Sequence, residues 1–235
     1  MNLKIVAFTT IAVIIINLGI GIWYGFYKQS NNSIEIRSIN AKVNYYNVLS
    51  INWPFTVCVN ATKSCIRPLP NRWTIHGLWP NGLDNSMIFD CTSEKYDSNQ
   101  IRMLKTRMDE QWLSVKKSGN DAFWKHEWQK HGTCATGYSQ YDYFNKTLSL
   151  FERYDVNRML KNNGINYGSL INVADIRRAL EASGLRSDMF VIQCKNSYKQ
   201  PYLFEIRMCF TADLKPMTCA IKSNCKKPQV FYVMK

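Results

Sequence analysis

Eight cysteines, all C-terminal to residue 57, constrain the fold of this 235-residue chain more than any other feature. They follow a run at 5–27 that carries no charged side chain and is flanked by Lys4 and Lys28. The position of this run and the positive charge before it are typical of a secretory signal peptide. An even number of cysteines behind an export signal implies disulfide bonds, but eight cysteines allow about 105 pairings. The residues alone therefore predict a disulfide-stapled domain without choosing its connectivity.

The same apolar run also reaches membrane-spanning length, and it lacks an obvious Ala-x-Ala-like cleavage site. We favour a removed signal over an uncleaved anchor because the run has the position and flanking charge of a signal. The chain then divides into a signal peptide at 1–27, a polar segment at 28–43 and a single domain at 44–235. We expect a secreted, extracellular monomer with no stable membrane association after signal removal. Glycosylation sequons stand at Asn31, Asn60 and Asn145.

A helix is predicted within residues 120–134. Asn120 is a favourable N-cap and Gly132 a favourable terminator, so the helix should cover 121–131. Its aromatic residues are expected to belong to the core, at least in part: Phe123, Trp124 and Trp128. One interpretation of the charged residues between them is a solvated helix face.

The ionisable residues of this helix favour a functional interpretation. Positions four apart lie about 40° apart around a helix, so Glu127 and His131 share a face, and His126 and Lys130 form the adjacent ridge. The chain has only three histidines, and the third, His76, lies in a second unusual motif at 73–80. Two or three imidazoles with a carboxylate and an ammonium suit proton transfer and the stabilisation of an anionic, pentacoordinate phosphorus.

A zinc site is the main alternative, because His126 and Glu127 begin like the His-Glu-x-x-His motif. In that motif the histidines stand four apart so that both reach one ion, whereas His131 follows His126 by five positions. Lys130 would also place a positive charge beside any bound cation. We therefore predict neither a metal site nor a cofactor.

Two segments resemble the active-site motifs of the ribonuclease T2 family. They are Thr-Ile-His-Gly-Leu-Trp-Pro at 74–80 and Phe-Trp-Lys-His-Glu-Trp-Gln-Lys-His-Gly-Thr-Cys at 123–134. The similarity extends from about residue 44 to the C-terminus. It implies an α+β fold and metal-free cleavage of RNA. It also implies four disulfide bonds: Cys58–Cys65, Cys91–Cys134, Cys194–Cys225 and Cys209–Cys219.

The resemblance also implies a role for each ionisable residue. His131 is expected to be the general base on the ribose 2′-hydroxyl and His76 the general acid for the departing 5′-oxygen, although the reverse assignment stays open. Lys130 would stabilise the transition-state charge, Glu127 would orient or tune a neighbouring imidazole, and His126 would help to hold the phosphate. The first product should be a 2′,3′-cyclic phosphate.

Three further residues are candidates for binding a base. Trp79 and Trp124 are aromatic residues on which an unpaired base could stack, although core packing is an equal alternative for each. Asn52 precedes Trp53 where the family often has Gln, which holds a base in some relatives. The base preference of this chain therefore stays open.

The apolar periodicity supports an α+β fold, with a central antiparallel sheet packed with several helices and stapled by disulfides. Gly77 and Pro80 are expected to end the second strand and so to fix His76 on the sheet. Strands are predicted at 44–52, 73–76, 187–195, 202–210 and 229–234. Helices are predicted from a cap at Ser98 as far as Val115, at 141–151, at 155–161 and after a cap at Asn172.

The charge balance bears on partners. Thirty Lys and Arg residues against 17 acidic residues give a net charge of +13, which beside a nuclease motif favours RNA as the substrate. We favour a style ribonuclease of gametophytic self-incompatibility, whose partners would be pollen F-box proteins and whose region 82–118 would carry recognition. A general secreted ribonuclease for phosphate scavenging, senescence or defence is the alternative, and a catalytically idle recognition module is a third.

Overall fold

A mainly antiparallel sheet organises the protein, whose computed structural model describes residues 45–197 and 200–234. The predicted signal at 1–27, the polar segment at 28–43 and the sequon at Asn31 lie outside these residues. The strands are β1 Tyr45–Asn52, β2 Thr74–Gly82, β3 Leu170–Asn172, β4 Phe190–Lys195, β5 Tyr202–Thr211 and β6 Gln229–Phe231. Their order is β2-β1-β5-β6-β3, and β4 also pairs with β5.

All strand pairs are antiparallel except β5 and β6, which meet in parallel at Tyr202 and Phe231. Leu49 and Met208 lie opposite each other and belong to the main core. Val48 lies opposite Cys209 on the other face of β1. The predicted α+β class and antiparallel sheet are confirmed.

The helices are short and lie between the strands. They are α1 Pro54–Cys58, α2 Lys105–Gln111, α3 Asn120–Lys130, α4 Gln140–Arg153, α5 Val156–Asn162 and α6 Val173–Ala182. Single 3-10 segments cover Thr62–Ser64, Ser98–Leu104 and Gly132–Cys134. Among the helices that the structure describes, none has both the length and the apolar character needed to span a bilayer.

The predicted helix after Ser98 differs from the observed one. Asp97 is the N-cap, because its carboxylate accepts a hydrogen bond from the Asn99 N–H, and the first segment is a 3-10 helix before α2. The α-helix ends at Gln111, although Trp112 and Val115 are buried as the apolar stripe predicts. The stripe therefore identified buried positions correctly, while the helix is shorter than predicted.

The second strand also differs from its prediction. Gly77 and Pro80 do not end β2, which continues to Gly82. Proline is tolerated because β2 is the edge strand of the sheet, where an N–H can be absent without loss of a sheet hydrogen bond. The strand also contains a β-bulge next to Gly77. Ser50 of β1 lies opposite Gly77 and Ile51 lies opposite Ile75, so His76, between these two residues of β2, is the extra residue of the bulge.

The disulfide bonds pair as the family resemblance implies. They join Cys58 to Cys65, Cys91 to Cys134, Cys194 to Cys225 and Cys209 to Cys219. The Cys91–Cys134 bond spans 43 positions and attaches the loop after β2 to the turn that follows α3. A bond that closes a loop of this length typically stabilises a domain by about 2–4 kcal/mol. It therefore keeps the two motif segments together.

Candidate active site

The five predicted catalytic residues come together around one cleft of about 440 Å³. The cleft lies between the edge strand β2, helix α3 with the residue that follows it, and strand β5. Its ionisable lining consists of His76, His126, Glu127, Lys130, His131 and Arg207. Two separate sequence motifs therefore build one site, and β5 adds a residue that neither motif contains.

Helix α3 is anchored to the core by Trp124 and Trp128, which are almost completely buried. The prediction that Asn120 caps this helix is wrong. The Asn120 amide instead accepts a hydrogen bond from the Ser114 N–H and donates one to Asp109, so it holds the preceding segment against the first turn. The N-cap position is Gly119, with φ of 86°.

Glu127 is buried beside the edge strand, with 2% of its surface exposed. Its Oε2 accepts a hydrogen bond of 3.0 Å from Trp79 Nε1. Burial raises the pKa of Glu127 to about 7, although the charges of His76 and Lys130 and the Trp79 hydrogen bond act in the opposite direction. A Cβ atom at Gly77 would overlap both Glu127 Oε2 and Trp79 Nε1, so only glycine leaves room for this contact.

His131 follows the last residue of α3, where its N–H still donates to the Glu127 carbonyl. Burial, and then the charges of Lys130, His126 and His76, lower the pKa of His131 to about 3. Its Nδ1 is buried and lacks a hydrogen-bond partner within the described residues. The ring is therefore held neutral near neutral pH.

His76 has the opposite electrostatic environment. Burial lowers the pKa of His76, but a hydrogen bond to Glu205 and the charges of Glu205 and Glu127 outweigh burial and the Arg207 charge. The net result is a pKa above the ordinary value for histidine. Its Nδ1 lies 2.7 Å from Glu205 Oε1.

His126 and Lys130 complete the charged lining. His126 is exposed, and its pKa is lowered by partial burial and by the charges of Lys130 and His76. Lys130 is half-buried, with its Nζ 6.0 Å from the centre of the Phe89 ring. Both side chains line the cleft, so each can meet an anionic group there.

The three candidate base-binding residues differ in their exposure and in their access to the cleft. Trp124 is only 2% exposed and donates Nε1 to the Trp112 carbonyl, so it belongs to the core and does not offer a stacking face. Trp79 is half-buried and lines the cleft. Asn52 is 7% exposed; its Oδ1 accepts from the Thr74 hydroxyl, and it borders a smaller cavity of about 170 Å³ beside His76.

Sequence reasoning missed Glu205 and Arg207, because the pattern of 202–210 was interpreted only as a strand and no role was assigned to its charged residues. Cys209 lies on the same face of β5 as Arg207 and is fully buried. A disulfide cysteine two positions beyond Arg207 was the available signal that this face is covered. A charged residue on a covered face requires a partner, which here is His76 for Glu205.

Comparisons with known proteins identify the family. The model of the Ribonuclease T2 family matches residues 44–219. Ribonuclease T2 of Sus scrofa is 36% identical over 195 residues, which cover 77% of this chain and 92% of that protein. The chain resembles the crystal structure of RNase MC1 from bitter gourd seeds, with a TM-score of 0.73, 25% identity, and coverage of 80% of this chain and 100% of that one.

A third similar protein is the self-incompatibility associated SF11-RNase of Nicotiana alata. Its crystal structure matches with a TM-score of 0.68 and 27% identity, over 81% of this chain and 99% of that chain. Variants of RNase MC1 have been crystallised with 5′-GMP and 5′-UMP. The family model spans most of the described residues, including both motifs, and the chain therefore belongs to the ribonuclease T2 family and is an endoribonuclease.

Proposed function

We propose that the protein cleaves single-stranded RNA without a metal ion, in two steps through a 2′,3′-cyclic phosphate. The observation that carries this proposal is the placement of two imidazoles on one cleft in opposite surroundings: His76 is paired with the buried carboxylate of Glu205, and His131 is buried beside Lys130 without a hydrogen-bond partner for Nδ1 within the described residues. A neutral His131 can accept the proton of a 2′-hydroxyl, and a cationic His76 can donate a proton to the departing 5′-oxygen. The environments of these two residues favour this assignment over the reverse one, which the motifs alone left open.

The other ionisable residues are assigned by charge. Lys130 lies beside His131 and stabilises the negative charge that builds up on the phosphorus oxygens. His126 helps to hold the phosphate at the exposed side of the cleft. Glu127, with a pKa of about 7, is largely protonated in the mildly acidic range, so it adds little repulsion near the phosphate. It also keeps Trp79 in place through their hydrogen bond.

Two cavities beside the cleft suit the two bases that flank a phosphodiester. One has a volume of about 380 Å³ and is lined by Trp79, Phe89 and His131 among others. The other is the smaller cavity beside Asn52, which Phe123 also lines. An aromatic residue in each cavity fits recognition of unstacked bases, so single-stranded RNA is the expected substrate.

A defined dinucleotide tests the reaction. We expect the protein to convert a ribodinucleotide into a 2′,3′-cyclic phosphate in excess EDTA, and to leave the 2′-deoxy analogue intact because the internal nucleophile is missing. Phosphorus NMR identifies the cyclic product. Loss of cleavage in EDTA that added zinc or magnesium restores, or cleavage of the deoxy analogue, would contradict the proposed chemistry.

The pH dependence follows from the two imidazoles. A base must be deprotonated, so kcat/KM should rise as the pH increases through the low pKa of His131, near 3. An acid must be protonated, so kcat/KM should fall as the pH increases through the raised pKa of His76, above about 6.5. We expect a plateau at mildly acidic pH in a kcat/KM profile of the dinucleotide. A rising limb close to the ordinary histidine pKa would contradict a general base with a lowered pKa.

The physiological part of the proposal is a secreted glycoprotein of the style that acts in gametophytic self-incompatibility. The basic charge and the similarity to SF11-RNase support it, with pollen F-box proteins as partners. Among the sequons, Asn60 is exposed, whereas Asn145 is half-buried on α4 and accepts a hydrogen bond from Arg107. The similarity to a mammalian ribonuclease T2 favours the alternative of a general secreted ribonuclease.

Exposed residues of 82–118 provide the test of recognition. Lys95 and Arg102 are exposed, and replacing them should change the free energy of unfolding by less than about 0.5 kcal/mol each. Arg107 is a poorer candidate because its Nε and Nη2 donate to the Glu152 carboxylate, and Lys116 is half-buried. Asn85 is also unsuitable, since it accepts a hydrogen bond from the Tyr46 hydroxyl.

Substituting Lys95 and Arg102 with the residues of another allele should change pollen rejection and leave RNA cleavage intact. RNA cleavage is measured on the purified variant, and pollen rejection is measured in plants that express the same variant. Unchanged rejection specificity would contradict the recognition role. A loss of cleavage in the folded variant would place these residues in substrate binding instead.

A further inference from the structure

Glu205 is a fully buried carboxylate that the reaction, as derived above, does not use. Its side chain has no exposed surface, so its charge requires compensation within the protein. Two groups supply it: His76 Nδ1 lies 2.7 Å from Oε1, and Arg207 donates from Nε and Nη2 to Oε2 at 2.8 Å and 2.6 Å. Each carboxylate oxygen therefore has its own partner, and the plane of the carboxylate is fixed.

His76 is held at both ends by these surroundings. It is the extra residue of the bulge in β2, where its carbonyl accepts a hydrogen bond of 2.9 Å from Trp112 Nε1. Its ring contacts Glu205 through Nδ1 and lines the cleft. Because Nδ1 is occupied, Nε2 is the nitrogen that can meet a substrate atom. The arrangement is that of a carboxylate that orients an imidazole by its far nitrogen.

Arg207 links Glu205 to the other side of the cleft. Its guanidinium lies 5.2 Å from the centre of the Trp79 ring, and Trp79 in turn donates to Glu127. Arg207 is partly exposed, with 28% of its side-chain surface accessible, so its charge is less shielded by the protein than that of Glu205. The pair therefore presents a buried anion to His76 and a cation behind it.

We propose that Glu205 is a positioning residue for His76, and that Arg207 fixes Glu205 and moderates its charge. The role rests on the proposed function, because it makes His76 a competent acid: the ring is oriented with Nε2 toward the cleft and is kept cationic. The alternative is a buried ion pair that only stabilises the fold. A positioning role requires that Glu205 changes the pKa of His76, whereas a purely stabilising ion pair does not require it.

Other charges also face His76, and each is retained in the test. When it is ionised, Glu127 on α3 acts in the same direction as Glu205, whereas Arg207 acts against it. The remaining titratable or charged groups around the ring are His126, Lys130 and His131 across the cleft, and Lys116 at the smaller cavity. None of these is altered by a substitution at Glu205.

The first experiment is an NMR titration of the imidazoles, which is tractable because the chain has three histidines. In Glu205→Gln, which retains the shape of the side chain, we expect the pKa of His76 to fall by about one pH unit or more. In Arg207→Gln, we expect it to rise. Glu152→Gln is the matched control, since it removes a carboxylate from a partly exposed pair with Arg107 and should leave His76 unchanged.

The second experiment measures kcat/KM against pH for the same variants. The apparent pKa of the alkaline limb should shift to lower pH in Glu205→Gln and to higher pH in Arg207→Gln. Each shift should equal the change in the pKa of His76 measured by NMR. An unchanged pKa of His76 in folded Glu205→Gln would overturn the positioning role, as would a shift of both variants in the same direction. If Glu205→Gln does not fold, Glu205→Asp, which keeps the charge but shortens the side chain by one methylene, replaces it, and an unchanged pKa of His76 in that variant would overturn the proposal.

These readouts separate this inference from the function on which it rests. The NMR titration requires no turnover, so it tests the link between Glu205 and His76 even if the wild-type protein failed to cleave RNA. Such a failure would contradict the proposed function. Conversely, the wild-type protein could cleave RNA normally while the pKa of His76 stays unchanged in both variants. That result would refute the positioning role and leave the proposed function intact.

Discussion

Replacing His131 with Ala should lower the turnover of RNA by about 10²–10⁴-fold, the usual contribution of a positioned proton-transfer group. We expect the fold to survive, because His131 is half-buried and its Nδ1 has no hydrogen-bond partner within the described residues. The loss should appear in kcat more than in KM, since the proton is transferred in the transition state. Steady-state kinetics on a dinucleotide, together with urea unfolding of the same sample, measure both effects.

Replacing His76 with Ala should lower turnover by a similar factor but should also cost stability. Glu205 would keep Arg207 as a partner and lose the imidazole, and a buried acceptor that loses its donor costs about 1–3 kcal/mol. The two variants should therefore be alike in activity and unlike in unfolding. The difference in unfolding free energy reflects the position of His76 within the sheet and of His131 after α3.

His126→Ala is the internal control for both substitutions. His126 is exposed and is assigned to phosphate binding, so its loss should raise KM by about tenfold and leave the fold unchanged. Turnover close to the wild-type value in either His76→Ala or His131→Ala would remove that residue from the proton-transfer pair. If turnover fell as much in His126→Ala as in His76→Ala and His131→Ala, His126 would instead have a role in the chemistry.

The sequence identified the cleft residues that lie in the two motifs, but it missed Arg207 and did not predict how the motif residues are held. Local spacing predicted that Glu127, Lys130 and His131 gather at the end of one helix, because that relation depends on helix geometry alone. The position of His76 depends on the register between β1 and β2, and one extra residue there changes the direction of its side chain. Register is a long-range property that periodicity within one strand does not contain.

The partner of His76 is a second long-range feature. The alternation of 202–210 predicted a strand, in which Glu205 and Arg207 lie on one face, but whether that face is solvated depends on what covers it. Trp124 is a second example: the sequence left base stacking and core packing as equal alternatives, and the structure buries Trp124 in the core, where Nε1 donates to the Trp112 carbonyl. In both cases the residue type was informative and its exposure was decided by other parts of the chain.

Replacing Gly77 with Ala should damage the site from a position that carries no reactive group. A Cβ atom there would overlap Glu127 Oε2 and Trp79 Nε1, so the hydrogen bond between them must break or β2 must shift. Overpacking of a tightly filled region costs about 1–3 kcal/mol of unfolding free energy. A displacement of about 1 Å in groups next to the reacting phosphate can lower turnover by about 10²-fold. We therefore expect a folded, weakened enzyme.

Gly164→Ala is the control for Gly77→Ala. Gly164 has φ of 75° and open space around its Cβ position, so alanine there adds backbone strain of about 1–2 kcal/mol without a clash near the cleft. It should lower stability and leave kcat unchanged. If both variants lost activity in proportion to their stability, the effect of Gly77→Ala would be one of folding alone.

A double substitution shows whether the loss in Gly77→Ala passes through Glu127. In Glu127→Ala the carboxylate that the new methyl group would strike is absent, so adding Gly77→Ala should lower kcat much less than it does in the wild-type background. Residues that contact each other show such non-additive effects, whereas independent sites combine additively. Additive losses in kcat would mean that Gly77 acts through Trp79 or the bulge at His76, because these remain in the Glu127→Ala protein.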